Sequence, residues 1–116
     1  MSNEIKIIAV DFDRTLCDAD NKPPDKRLGP PFPGAKEALQ AFREAGYDIC
    51  IHSCRGSDGS RAVKVMADWL EFFSIPFDSI WDQPGKPPAM AYIDDLAIRF
   101  EGNWDETRKK VLCQQS

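Results

Sequence analysis

The chain has 116 residues, of which 42% are hydrophobic and 29% charged, and its formal net charge at pH 7 is −4. This length and balance favour one soluble globular domain, residues 1–116, and exclude a disordered polypeptide. The acidic charge argues against an extended basic surface for nucleic acid, and no apolar run approaches the roughly 20 residues of a membrane span.

The N-terminus has no features of an export signal. The first ten residues, MSNEIKIIAV, contain neither the basic start nor the cleavage site of a signal peptide, so we expect a cytoplasmic protein. Four cysteines, at positions 17, 50, 54 and 113, match neither a secreted disulfide framework nor a CxxC zinc site. We expect them to be reduced, structural thiols.

Apolar runs without clean alternation predict strands that are buried on both faces of a parallel sheet. Between these runs, apolar residues at helical spacing predict helices. Strands that alternate with helices imply right-handed crossovers, and the predicted fold class is therefore α/β, a doubly wound, Rossmann-like parallel sheet in one domain. The predicted elements are, in chain order, a strand at 5–10, a helix opened by Pro33 and closed by Gly46, a strand at 47–53, a helix at 62–73, strands at 75–81, up to Ile93 and around 98–100, and a last helix capped by Asn103 with Glu106.

Acidic and hydroxyl side chains follow three of the predicted strands. Asp11 and Asp13 follow the first, Ser53 the second, and Asp94 and Asp95 the fourth. Each motif alone also fits ordinary turn chemistry. Together they converge, because the carboxyl ends of parallel strands meet at one edge of the sheet. Ionised carboxylates crowd together cheaply only around a positive charge, and oxygen ligands without nearby Cys or His favour Mg²⁺.

This ordered pattern resembles the haloacid dehalogenase (HAD) superfamily of phosphotransferases. VDFDRT is similar to the first motif of that superfamily, ICIHS to the second and YIDD to the acidic fourth, while the lysine of PGKPP is the candidate for the third. The resemblance spans residues 5 to about 100. It implies a sheet of about five strands in the order 5-4-1-2-3, with the first strand central and no cap domain. The residues that match the four motifs are Asp11, Asp13, Thr15, Ser53, Lys86, Asp94 and Asp95.

The resemblance implies a Mg²⁺-dependent phosphatase that acts on a phosphomonoester. Asp11 would attack phosphorus and become a transient aspartyl phosphate, while Asp13 would protonate the leaving oxygen and then deprotonate the attacking water. Ser53 would hydrogen-bond a phosphoryl oxygen, and Lys86 would offset negative charge. Mg²⁺ would be held by Asp11, Asp94 and the main-chain carbonyl of Asp13.

Three further residues are candidates for substrate contact: Arg14, Thr15 and Arg55. Arg14 stands where many relatives have glycine, and contact with substrate and an outward orientation both stay open. Arg55 follows the second motif and is suited either to contact the leaving group or to form a surface salt bridge. Without a cap domain the site is open, and the loop 18–32, rich in proline and charge, is the candidate for a partial lid.

Two assignments keep their alternatives. Lys86 precedes Asp94 by only eight positions, a tight spacing, so Lys64 on the preceding helix is the second candidate for the charge-neutralising lysine. His52 is predicted to be a packed imidazole on the opposite face of its strand from Ser53, rather than a catalytic base.

The expected partner is a phosphorylated substrate, either a small molecule or a phosphorylated terminus, and the oligomeric state stays open. Two other classes of function compete with the phosphatase. A signalling module phosphorylated on aspartate also uses acidic residues, Ser or Thr and Lys on a parallel sheet, but response-regulator receivers carry their lysine last. A non-catalytic binding protein with a HAD fold is the other alternative.

Overall fold

The computed structural model describes residues 5–21, 28–53 and 59–113. Within these ranges the chain is an α/β protein with four parallel strands and three α-helices, and its sheet is open rather than closed into a barrel. The elements are β1 (Ile7–Val10), α1 (Ala35–Glu44), β2 (Asp48–His52), α2 (Ser60–Phe72), β3 (Ser79–Trp81), β4 (Ala91–Ile93) and α3 (Trp104–Cys113).

The sheet has the order β3-β2-β1-β4, and every neighbouring pair is parallel. The predicted sheet of five strands in the order 5-4-1-2-3 differs from this one in count and order, because residues 98–100 form no strand; the four strands present follow one another as 4-1-2-3. Charged Arg99 interrupts this short apolar segment. Phe100 packs on Trp104 of α3, with ring centroids 4.9 Å apart, instead of entering the sheet. Among the described strands, β4 therefore ends the sheet on that side.

One face of the sheet carries the hydrophobic core. Ile8 and Val10 of β1 lie opposite Ile49 and Ile51 of β2, and side chains at these alternate positions share one face. The helices α1 and α2 add Leu39, Met66, Trp69 and Leu70 to the same buried cluster.

The helix ends follow the sequence signals in part. α1 begins at Ala35 rather than at Pro33, because Gly34 adopts a left-handed conformation (φ 87°) immediately before it. Gly46 (φ 97°) follows the last turn, as predicted. The cap of α3 is confirmed, since Asn103 Oδ1 accepts the N–H of Glu106 at 3.2 Å.

The environments of the cysteines differ. Cys17 and Cys50 are buried thiols, whereas Cys113 is exposed at the end of α3, and Cys54 lies outside the described residues. Of the helices in the described part of the chain, none has both the length and the apolar character of a membrane-spanning segment.

Candidate active site

The turn after β1 is anchored by Phe12, the residue between the first two aspartates. Its side chain is fully buried, and its ring meets the edge of Trp69 with centroids 5.0 Å apart. The Phe12 carbonyl accepts the N–H groups of Leu16 (3.0 Å) and Cys17 (2.9 Å), which closes a tight turn. This buried anchor fixes the backbone from which Asp11 projects.

Asp11 and Asp94 lie side by side because β1 and β4 are neighbours. The N–H of Asp11 donates to the carbonyl of Ile93 at 2.9 Å, which continues the pairing of the two strands up to these residues. Both aspartates line a cavity of about 540 Å³, together with Asp95 and with Ser53, which is buried at the end of β2. The structure thus brings together groups from the ends of three strands.

The pKa of Asp11 is raised above its usual range. Partial burial is the largest cause, and the negative charges of Asp95, Asp13 and Asp94 raise it further. A hydrogen bond from the N–H of Phe12 to Asp11 Oδ1 (2.8 Å) acts in the opposite direction. A cation bound among these carboxylates would lower the pKa of Asp11 and keep it ionised.

A local turn orients Asp94. Its Oδ1 accepts the N–H groups of Leu96 (2.9 Å) and Ala97 (2.7 Å), the pattern by which an aspartate begins a turn. Both of these bonds end on Oδ1, so they orient the side chain and do not involve Oδ2.

Two carboxylates at one cavity are compatible with the predicted Mg²⁺. No group of three His, Cys, Asp or Glu side chains suited to hold a metal occurs in residues 5–21, 28–53 and 59–113. Mg²⁺ commonly binds through one or two carboxylates and completes its octahedron with water and substrate phosphate. Asp11 and Asp94 supply that number of carboxylates at one cavity.

The two candidate lysines have different surroundings. Lys86 is exposed, and its Nζ lies 5.3 Å from the ring centroid of Tyr92, a residue that lines the cavity. Lys64 instead forms an ion pair with Asp68 on its own helix, with Nζ 3.1 Å from Oδ2. Lys86 is thus next to a residue of the cavity wall, but it is not itself one of the lining residues.

Arg14 occupies a backbone conformation that favours glycine, with φ 62°. Its guanidinium donates from Nε and Nη2 to the carboxylate of Asp20 at 3.2–3.3 Å, and both side chains are exposed. The bond and charge of Asp20 raise the pKa of Arg14, with smaller contributions from Asp95 and Asp13. In this structure Arg14 faces the short 3₁₀ helix Ala19–Asn21.

The remaining predicted residues are placed as follows. Asp13 is half-buried in the turn after β1. Thr15 Oγ1 is buried and makes no hydrogen bond within the described residues. Arg55 lies outside the described residues, as do residues 22–27 of the predicted lid. In the described part of that loop, the carbonyl of Gly29 accepts Trp69 Nε1 at 2.9 Å.

Three rings of the cavity wall were not predicted as site residues: His52, Trp81 and Tyr92. His52 and Ser53 both line the cavity, so their predicted placement on opposite faces of the strand does not keep His52 away from the site. The pairing of the strands carries the missing signal. His52 lies opposite Trp81, and Ala9 lies opposite Tyr92.

Comparison with protein-family models and with curated proteins gives no match. Among solved structures, the chain resembles a conserved protein from Bacteroides thetaiotaomicron, with a TM-score of 0.63 and 21% identity over 97% of this chain and 94% of that one. It also resembles a protein from Vibrio cholerae, with a TM-score of 0.56 and 24% identity over 95% of this chain and 99% of that one. At these identities the similarity shows the α/β fold alone.

Proposed function

We propose that the protein is a Mg²⁺-dependent phosphatase of the HAD type, a capless domain with a doubly wound core that hydrolyses a phosphomonoester through an aspartyl phosphate. The observation that carries the proposal is the position of Asp11 and Asp94 on one cavity, with the Asp11 N–H bonded to the strand that leads into Asp94. The order of the sequence motifs and the acidic surroundings of Asp11 support it.

In the first half of the proposed reaction, a carboxylate oxygen of Asp11 attacks the substrate phosphorus. The bond from phosphorus to the leaving oxygen breaks, and Asp13 gives that oxygen its proton, so an alcohol departs. Ser53 donates a hydrogen bond to a phosphoryl oxygen, and Lys86 offsets the charge of the transferring group.

In the second half, water attacks the phosphorus of the aspartyl phosphate while Asp13 takes a proton from that water. Inorganic phosphate leaves, and the carboxylate of Asp11 is restored. The cation would be held by Asp11, Asp94 and the carbonyl of Asp13, and when bound it would stabilise negative charge on the phosphoryl oxygens. Contact with the cation would also keep the carboxylate of Asp11 ionised, and the ionised form is the one that attacks phosphorus.

The proposal is tested by the release of phosphate from 4-nitrophenyl phosphate, measured with Mg²⁺ and with a chelator. We expect turnover that requires Mg²⁺ and is lost in Asp11→Asn. Asp68→Asn is the matched control, because it makes the same change on an exposed face of α2. Turnover that survives in Asp11→Asn contradicts the proposed nucleophile.

A second measurement locates the covalent intermediate. Hydroxylamine cleaves an acyl phosphate, and mass spectrometry of the peptides then identifies the modified residue; we expect this to be Asp11. A stable phosphoprotein that forms with acetyl phosphate and does not turn over would instead favour the signalling module.

A further inference from the structure

The cavity has two chemically different walls. One wall is acidic and consists of Asp11, Asp94 and Asp95. The other wall is aromatic and consists of the rings of His52, Trp81 and Tyr92. These rings belong to three different strands and share one face of the sheet. His52 and Trp81 are register partners, and Tyr92 is the partner of Ala9. The small side chain of Ala9 lies in the same cavity lining and leaves space between the larger residues.

The polar atoms of the two larger rings are already engaged by the connection between β3 and β4. Trp81 Nε1 donates to the carbonyl of Gly85 at 3.0 Å, and the hydroxyl of Tyr92 donates to the carbonyl of Pro87 at 2.6 Å. Pro87 is buried, so the acceptor of the Tyr92 hydroxyl has a fixed position, whereas residues 82–86 and 88 of the connection are exposed. The ring of His52 lies edge-on to that of Tyr92, with centroids 6.5 Å apart. Trp81 and Tyr92 therefore offer a ligand planar ring surface whose polar atoms are already hydrogen-bonded.

The cavity is also larger than a phosphate group needs. Its volume of about 540 Å³ falls in the range of sites that enclose a small organic molecule. Fixed aromatic side chains bind planar rings through offset or edge-on contacts, with little loss of conformational entropy. A substrate whose phosphate reaches Asp11 would place its leaving group beside these rings.

We propose that the preferred substrate is a phosphomonoester whose leaving alcohol carries a planar aromatic ring, bound against His52, Trp81 and Tyr92. The inference rests on the proposed phosphatase function for the position of the phosphate. A nucleobase and a simple aryl group share the required chemistry, and the two are distinguished by the substrates used in the test.

The test uses substrate pairs that differ only in the ring. Benzyl phosphate and cyclohexylmethyl phosphate both release a primary alcohol, as do adenosine 5′-monophosphate and ribose 5-phosphate. We expect kcat/KM to favour the aromatic member on the order of tenfold in at least one pair. A preference in the first pair indicates an aryl site, and a preference in the second indicates a nucleobase site. Equal kcat/KM within both pairs overturns the inference and leaves the phosphatase intact.

Variants of the ring residues test whether the preference for aromatic substrates depends on these side chains. Trp81→Leu and Tyr92→Leu should bring the ratio of kcat/KM values close to one, whereas Tyr92→Phe keeps the ring, loses only the bond to Pro87, and should keep the preference. Trp104→Leu is the control, because that side chain is exposed on α3 and does not line the cavity. A preference that survives both leucine variants overturns the inference.

A binding measurement separates this inference from the proposed function. Benzylphosphonate and cyclohexylmethylphosphonate cannot be hydrolysed at the phosphorus–carbon bond, and calorimetry in the presence of Mg²⁺ compares their affinities without turnover. If no ester is hydrolysed, the phosphatase proposal fails, and the affinity ratio still decides the ring site. A ratio near ten that falls in Tyr92→Leu supports it, and a ratio near one overturns it.

Discussion

Replacement of Phe12 by alanine should destabilise the protein severely, because this residue connects the core to the candidate active site. Its side chain is fully buried and contacts Trp69, while its neighbour Asp11 lines the cavity. Removal of a fully buried phenylalanine side chain costs about 3–5 kcal/mol. A domain of this size has a total stability of about 5–15 kcal/mol, so the loss is a large share of it. Phe12→Leu retains most of the buried volume and loses the ring contact, which is worth about 0.5–1.5 kcal/mol.

Urea denaturation followed by circular dichroism measures these changes as shifts of the midpoint at constant m-value. Phe72→Ala is the matched control, because it makes the same change at the end of α2, where the side chain is 80% exposed, and it should change stability by roughly 0.5 kcal/mol or less. If Phe12→Ala costs no more than Phe72→Ala, the account of Phe12 as the buried anchor is refuted.

Three further predictions concern charge and strain at the site. Because Arg14 has φ 62°, Arg14→Gly should be more stable than Arg14→Ala by roughly 1 kcal/mol in urea denaturation, the reverse of the usual order in helices; the opposite ranking would contradict backbone strain there. Since Asp95 raises the pKa of Asp11, Asp95→Asn should lower that pKa and move the acid limb of the kcat/KM profile to lower pH, and an unmoved limb argues against this coupling. Lys86→Met should reduce phosphatase kcat/KM on the order of a hundredfold, whereas Lys64→Met, which breaks only the exposed pair with Asp68, should leave it unchanged; the reverse result would exchange their roles.

The parts of the fold that could be predicted are those with strong local signals. The apolar run before Asp11 predicts a buried strand, and Asn103 with Glu106 predicts the start of α3, because side-chain chemistry acts there within a few residues. The prediction of a fifth strand around Ile98 was wrong, because the local signal there is weak. Two apolar residues flanking Arg99 do not distinguish a strand from a connection that packs on α3.

The candidate site was also predictable only in part from the sequence. Asp11 and Asp94 could be predicted to meet, because parallel strands align their carboxyl ends. The aromatic wall depends on which residues face one another across strands, so the proximity of His52 to Tyr92 follows from register, which the sequence does not specify directly. The contact between Arg14 and Asp20 depends on the conformation of a turn, and that too is set by tertiary packing.

In the proposed function, Asp11 and Asp94 bind one Mg²⁺ between them. Calorimetric titration of the protein with Mg²⁺ tests it directly. We expect one ion per chain, with affinity weakened by roughly tenfold or more in both Asp11→Asn and Asp94→Asn and unchanged in Asp68→Asn. Wild-type affinity in either of the first two variants would contradict the claim that the two carboxylates share an ion.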